Sequence, residues 1–330
     1  MKRLPSTNEF YVAATIVLLS IIIGSINPAF FTLGNLIDLL RSSIVMGIFG
    51  LGVLMVIISG GIDVSFTAIA SISMFATTKI LRYYDFQGTV LVAFLIAAGI
   101  GLALGLINAV FISLFRLPTL IVTLGTASMI NGFMLAFIGA REISNIPQGM
   151  IEFSKINLFE VTSSTGFVYG LPAAILILAA LVVFVWFLLK YTMLGRGIYA
   201  LGGDRVAAER VGFDINAIQF FIYGFVGLIS GVGGLVHTCL MRNSDPVDLM
   251  GTELVVIAAV VLGGARITGG HGTVLGTLLG LFLVTIITNS LILLGIPSYW
   301  QSAVVGMLIL VGTGVTAYQS KRAQASHGLA

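Results

Sequence analysis

KYTMLGRGIYALGGDRVAAERVGFD, residues 190–214, gathers seven charged side chains in a chain that has few. They are Lys190, Arg196, Asp204, Arg205, Glu209, Arg210 and Asp214. Long apolar segments, about 169–190 and 216–240, flank this island on both sides. Across the 330 residues, 58% are hydrophobic and only 9% charged, against roughly 25% charged in a soluble domain. Such a chain cannot cover itself with polar surface in water, so the island is a polar connection between two membrane spans.

Working outward, ten segments are apolar enough to cross a bilayer core of ~30 Å, which takes ~20 helical residues. They are about 10–26, 43–59, 62–80, 88–115, 118–139, 169–190, 216–240, 252–265, 270–295 and 299–318. The 252–265 segment is short for a crossing, and 43–80 also reads as one broken helix plus a re-entrant piece, so the count is eight to ten. The fold class expected is an all-α polytopic helix bundle forming one transmembrane domain over 1–330. The N-terminal segment lacks a small-x-small cleavage site and reads as a retained span rather than a signal peptide.

Orientation follows from the positive-inside rule. With both termini in the cytoplasm, that side receives Lys2, Arg3, Arg116, Lys190, Arg196, Arg205, Arg210, Arg266, Lys321 and Arg322 of the sixteen Lys and Arg residues. The outer side receives Arg41, Lys79, Arg82, Arg141, Lys155 and Arg242 together with seven acids, and is close to neutral. The island at 190–214 then faces the cytosol, 140–168 is the longest outer loop, and 319–330 is a cytoplasmic tail. Leu33, Leu36, Leu39 and Leu40 fall at helical spacing with Asp38 and Arg41 opposite, which predicts a short interfacial helix within 27–43.

Within the island, 204–212 (DRVAAERVG) predicts a short helix. Asp204 is its N-cap, Ala207, Ala208 and Val211 are its apolar face, and Gly212 supplies the left-handed residue that ends it. Helices under about 12 residues are marginal in water unless packed. This one is either docked on a partner or lies as a connector on lipid headgroups.

Two glycine-rich breaks interrupt apolar sequence. The first, 57–65 (IISGGIDVS), contains Gly60, Gly61 and Asp63. The second, 261–272 (VLGGARITGGHG), contains Gly263, Gly264, Gly269 and Gly270. They read as exposed helix ends of broken spans or as tight turns in which Asp63 or Ser65 caps the next helix. Gly101 and Gly105, Gly227 and Gly231, and Gly272, Gly276 and Gly280 recur at four-residue spacing, the pattern that lets helices approach closely in lipid. Polar groups inside spans are candidates to line a solute path or to pair between helices: Ser71, Ser73, Asn108, Thr126, Ser128, Asn131, His237, Asn289 and Ser290. Glu253, at a membrane edge, reads as a cap or an ion-pair partner.

Several function classes are excluded. The chain has no Gly-Lys dipeptide, so it has no phosphate-binding G-x-x-x-x-G-K-[ST] loop. It has no His-Glu-x-x-His and no Gly-x-Ser-x-Gly. A single cysteine, Cys239, gives neither a disulfide nor a thiolate metal site, and His237 with Cys239 cannot complete a tetrahedral set. A gradient-driven transporter wants acids in mid-span, and only Asp63 and Glu253 come near.

Five stretches, in order, resemble the ribose-type bacterial ABC sugar transporter permease subunits, the ribose, xylose, arabinose and galactose class. They are ISGGIDVS (58–65), PTLIVTLGTASMING (118–132), TMLGRGIYALGGDRVAAERVGFDI (192–215), the block 251–280 and LLGIPSYWQSAVVGMLIL (293–310). Departures are the Val-Ser-Phe-Thr that follows Asp63, Val255 where Asp is frequent, and MRNSDPVDLM before Gly251. The resemblance implies an importer subunit in the bacterial inner membrane that moves a pentose or hexose by ATP-driven alternating access. Other sugar-like solutes, a furanone signalling molecule or a nucleoside, remain open. It implies no cofactor on this chain, ATP and magnesium being held by a separate ATPase with tandem nucleotide-binding domains. It also implies a periplasmic sugar-binding protein and a second permease, identical or paralogous. In that family the cytoplasmic loop carries a coupling helix, so Gly203, Asp204, Ala207, Ala208, Arg210 and Gly212 are the expected ATPase contacts. Arg41, Arg141, Glu142, Arg242, Asp245 and Asp248 are the expected docking residues for the binding protein. The solute path is expected between the two permeases.

Overall fold

Backbone groups in a bilayer must be satisfied within the segment that carries them, so long apolar runs become helices. The computed structural model describes residues 8–162, 166, 168–297, 300, 303–304, 306–307 and 310. In chain order the helices are α1 (Asn8–Ile26), α2 (Leu33–Ile58), α3 (Phe66–Tyr83), α4 (Val90–Ala109), α5 (Thr119–Phe133) and α6 (Gln148–Lys155). After a hairpin of β1 (Asn157–Thr162) and β2 (Val168–Pro172) come α7 (Ile175–Tyr191), α8 (Met193–Gly203), α9 (Arg205–Arg210), α10 (Ile215–Met241), α11 (Glu253–Leu262) and α12 (Val274–Leu293). α4 and α5 each finish in a π-helical turn, at Val110–Leu114 and Met134–Ile138.

The protein is an all-α polytopic membrane protein, as expected, and the small hairpin starts in the 140–168 loop and runs on to Pro172, so the span expected from 169 starts at Ile175. Among the described residues, six helices are long and apolar enough to cross, with α7 and α8 together a seventh that bends by 73°. α11 has ten residues, about 15 Å at ~1.5 Å per residue, half a crossing. α3 falls between the two groups: it has eighteen residues but carries Lys79, Arg82 and several hydroxyls. The segment 299–318, Lys2, Arg3 and the 319–330 tail lie largely or wholly outside the described residues. The separate interfacial helix expected in 27–43 is corrected. Asn27 caps a short 3-10 turn at Pro28–Phe31, Thr32 caps α2, and α2 then runs unbroken from Leu33 to Ile58. No glycine pair or proline falls near Ser43 to stop it.

α2 and α10 are the buried centre of the bundle. α4 crosses α10 where Gly101 and Gly105 meet Gly227 and Gly231. A Cβ at Gly101 would overlap the Gly227 carbonyl oxygen, and one at Gly227 would overlap that of Gly101. Backbone-to-backbone contact of this kind supplies the van der Waals packing that holds helices together in lipid. Gly276 and Gly280 play the same part between α12 and α11, against the carbonyls of Gly263 and Ala259. Gly272 does not, because it lies in the turn before α12.

The connections gather at two opposite ends. At one end Asn8 donates to the Leu262 carbonyl (3.0 Å), Thr273 donates to Glu9 (2.5 Å), and the Gly270 amide donates to the Ile58 carbonyl (2.8 Å). At the other end Asn27 donates to the Leu293 carbonyl (3.0 Å) and Arg41 to the Leu240 carbonyl (2.9 Å), and Ile143 and Ser244 form a β-bridge. Every one of these contacts joins residues that the charge pattern assigns to the same face of the membrane.

Candidate functional site

The island folds as two helices rather than one. Thr192 ends α7 and caps α8, accepting from the Gly195 amide at 3.0 Å. A side chain at Gly195 would run into the Leu188 carbonyl, so glycine permits the sharp bend. α8 buries Ile198 and Leu201, with Leu194 packed against the same core. This apolar spacing of four and three residues was the signal for α8, and the glycines at 195, 197, 202 and 203 obscured it.

α9 has the caps expected of it. Asp204 accepts from the Ala207 amide at 3.0 Å, and Gly212 closes the helix at φ +94°. Of the six residues expected to meet a partner, Gly203, Asp204, Ala207, Arg210 and Gly212 are exposed and Ala208 is buried. Ala208 anchors α9 to its own chain, and Val206 and Val211 stand out on the surface instead. Only the side nearest Ala208 touches the bundle, so α9 projects from it.

The two glycine breaks and the island, distant in sequence, converge at one point. Gly202 at the end of α8 lies so close to the Ile58 carbonyl and the Gly270 amide that a Cβ there would overlap the oxygen. Gly60 (φ +83°) faces Gly202, while Gly269 (φ +89°) and Gly270 (φ +71°) face Gly202 and Gly203. Tyr199 of α8 donates to the Gly272 carbonyl at 2.7 Å. Both breaks are therefore turns stacked on the last turn of α8. Gly61, Gly263 and Gly264 complete them, Gly264 at φ +103°.

Between α2 and α3 the chain runs extended and buried, which requires protein partners for its backbone. α5 provides them: Thr119 Oγ1 accepts from the Ile62 amide (3.1 Å) and Thr123 Oγ1 from the Val64 amide (3.3 Å). Asp63 Oδ1 accepts from both the amide and the hydroxyl of Ser65, each at 2.7 Å, and Ser65 Oγ accepts from Asn108 of α4 at 2.8 Å. Asp63 thus fixes the start of α3 from three residues ahead of Phe66, while the Ser65 side chain makes no cap of its own. Glu253 braces a second helix start, accepting from Thr67 Oγ1 (3.1 Å) and the Gly251 amide (3.0 Å).

The residues proposed to line a solute path do not form one surface. Ser71, Ser73 and Asn108 are buried inside the subunit, Thr126 bonds the Thr123 carbonyl, and Ser290 is buried in α12. Ser128 stands on the outward side of α5, and Asn131 is half-buried. His237 and Asn289 belong elsewhere. His237 Nε2 lies 2.6 Å from Asp248 Oδ2, and Asn289 donates to Ser42 Oγ at 3.1 Å. His237 lines a cavity of about 240 Å³ between α2, the end of α10 and the segment before α11, and Asn289 meets it only through Ser42. Arg41 and Asp248, expected as docking residues, line the same cavity.

The other expected docking residues mostly hold the loops of that end. Arg242 Nε donates to Ser154 Oγ (2.9 Å), Glu142 accepts from Asn243 (2.8 Å), and Asp245 accepts from the Val247 amide (3.0 Å); Arg141 is exposed. Hydrogen bonding to His237 holds the Asp248 carboxyl below the usual carboxylate range, against the upward effect of partial burial. Among the described residues, no group of three or more His, Cys, Asp or Glu side chains could hold a metal, and Cys239 is a buried free thiol.

Residues 35–312 match the family described as "Branched-chain amino acid transport system / permease component". The chain is 31% identical to a ribose import permease protein of Haemophilus influenzae, over 90% of this chain and 89% of that one. It is equally identical to the ribose import permease protein of Escherichia coli, over 90% of each. An autoinducer 2 import system permease protein of Klebsiella pneumoniae is 30% identical over 99% of this chain and 91% of its own length. No solved structure matches the chain.

Proposed function

The chain belongs to the branched-chain amino acid transport system permease component family, and from this premise we propose how it works as the sugar-translocating subunit of an ABC importer. It is a multi-pass protein of the bacterial inner membrane, and import permeases of this kind act with an ATP-hydrolysing subunit and a substrate-binding partner. In our reading α9 is the coupling helix. Gly203, Asp204, Ala207, Arg210 and Gly212, with Val206 and Val211, face a groove of the ATPase, and Ala208 ties the helix to its own bundle. ATP and magnesium reside on that partner, whose two nucleotide-binding domains are carried in tandem, and a periplasmic sugar-binding protein delivers the solute from the opposite end. Two permease chains form the pathway, with both termini in the cytoplasm.

The observation that carries this reading is the seat of α8. Displacement of α9 reaches Gly202 and Tyr199 directly, and these rest on the turns that end α2 and begin α12. The ATPase stroke therefore acts on both breaks at once and swings the bundle between outward- and inward-facing states. Co-purification with the ATPase and vesicle uptake test it. Replacing Asp204 and Arg210 together should abolish uptake; retention of both assembly and uptake would refute the coupling role. The relatives favour a pentose or hexose as cargo. The likeness to the autoinducer 2 permease, over nearly the whole chain, supports a second reading in which a furanone-type signal is carried. A thermal-shift screen of the cognate binding protein separates the two.

A further inference from the structure

One subunit's own residues line the cavity of about 240 Å³ between α2, the last turn of α10 and the segment before α11. Its volume is below the ~300–1,000 Å³ of sites that hold drug-sized ligands, so it suits one small solute. Its floor is apolar, with Val45, Met46 and Phe49, and its rim carries Arg41, Ser42 and Asp248.

The rim groups are held in place and still have capacity to spare. Arg41 uses Nη2 on the Leu240 carbonyl, and a guanidinium has five N–H donors. Asp248 Oδ2 faces His237 Nε2; among the described residues Oδ1 accepts no hydrogen bond. Ser42 is fixed by Asn289. Arg41 and Asp248, one cation and one anion, both line the cavity, so neither sign of charge dominates this pair. A forked donor and a free carboxylate oxygen over an aromatic floor match a neutral molecule with adjacent hydroxyls and a C–H face.

We propose, on the reading of the chain as an importer subunit, that each permease holds its own entry site for a monosaccharide-sized polyhydroxylated solute. In this site Arg41 and Asp248 bind neighbouring hydroxyls and Phe49 supports the ring. The site lies at the end where the binding protein releases its cargo and is separate from any passage formed between two permeases. Arg41 and Asp248 thereby receive the solute rather than the binding protein.

The test is saturation-transfer NMR titration of the full chain in nanodiscs with D-ribose, D-xylose and D-galactose, and with L-leucine as a zwitterionic competitor. Saturable binding of at least one sugar and none of leucine is expected. Asp248→Asn should weaken it about tenfold, equivalent to ~1.4 kcal/mol, and Val45→Trp, which fills the floor, should abolish it. Asp248→Asn keeps the side-chain shape and decides the matter should the tryptophan variant fail to fold. Absence of sugar binding, equal binding by Asp248→Asn and wild type, or leucine binding as strong as sugar would overturn the proposal. Co-purification with the ATPase is measured on the same samples. Its failure would sink the importer reading while the titration still reads the site.

Discussion

Replacing Gly202 by alanine isolates the contact on which the proposed coupling depends. The added methyl would overlap the Ile58 carbonyl and sit 2.6 Å from the Gly270 amide nitrogen. All the atoms it meets are backbone, so no side chain can rotate away. Overpacking of this kind costs roughly 1–3 kcal/mol. Separation of α8 from the breaks also strains the Gly270 to Ile58 hydrogen bond of 2.8 Å, worth about 1 kcal/mol. The total is about 2–4 kcal/mol. Gly203 is the internal control, because a Cβ there meets nothing within 4 Å. The assay is the half-life of the detergent-solubilised permease at a fixed temperature, followed by ATP-driven uptake in proteoliposomes. Gly202→Ala should shorten the half-life strongly and lose uptake, and Gly203→Ala should leave the half-life unchanged. Equal half-lives for the two variants would refute the close seat of α8 on the breaks, and with it the route from α9 to α2 and α12.

Asp204→Ala removes the cap on the Ala207 amide, at a cost of about 1 kcal/mol. Uptake should fall by more than expression does, read by uptake per molecule of co-purified ATPase. Ser65→Ala leaves Asn108 Nδ2 and part of Asp63 unpaired in a buried network, which costs roughly 1–3 kcal/mol and should lower the thermal midpoint. The Asp248 carboxyl, depressed by its bond to His237, contributes stability that is present above its unfolded value of about 3.9. That contribution is lost as pH falls through the lower folded value. Acid unfolding curves below about pH 4 should therefore shift in Asp248→Asn, and identical curves would show that the latch adds no stability. Gly101→Val, placed against the Gly227 carbonyl, should separate α4 from α10 and abolish folding into membranes, measured by the yield of monodisperse protein.

The spans were legible because each is a local property: a run of apolar residues bounded by charge, readable without knowing what it packs against. The caps of α9 were legible for the same reason, since Asp204 and Gly212 act on neighbours within three residues. What escaped was distance. Ile58, Gly202 and Gly270 lie far apart in the chain, and nothing local in any of the three stretches names the other two. Paired glycines read as broken helix ends or tight turns when each stretch is taken alone. Their actual role is to remove side chains where three backbones meet. The same limit divided Arg41 and Asp248 from His237, which were given separate jobs although one cavity joins them. Ala208 shows the converse error: it fits the pattern of a partner contact, yet in a six-residue helix one face must hold on to the bundle or the helix cannot transmit force. A helix that short has no rigidity of its own. On the proposed coupling role, a push on Arg210 reaches Gly202 through Ala208, which holds α9 to the bundle, and through the Asp204 cap that joins α9 to the end of α8.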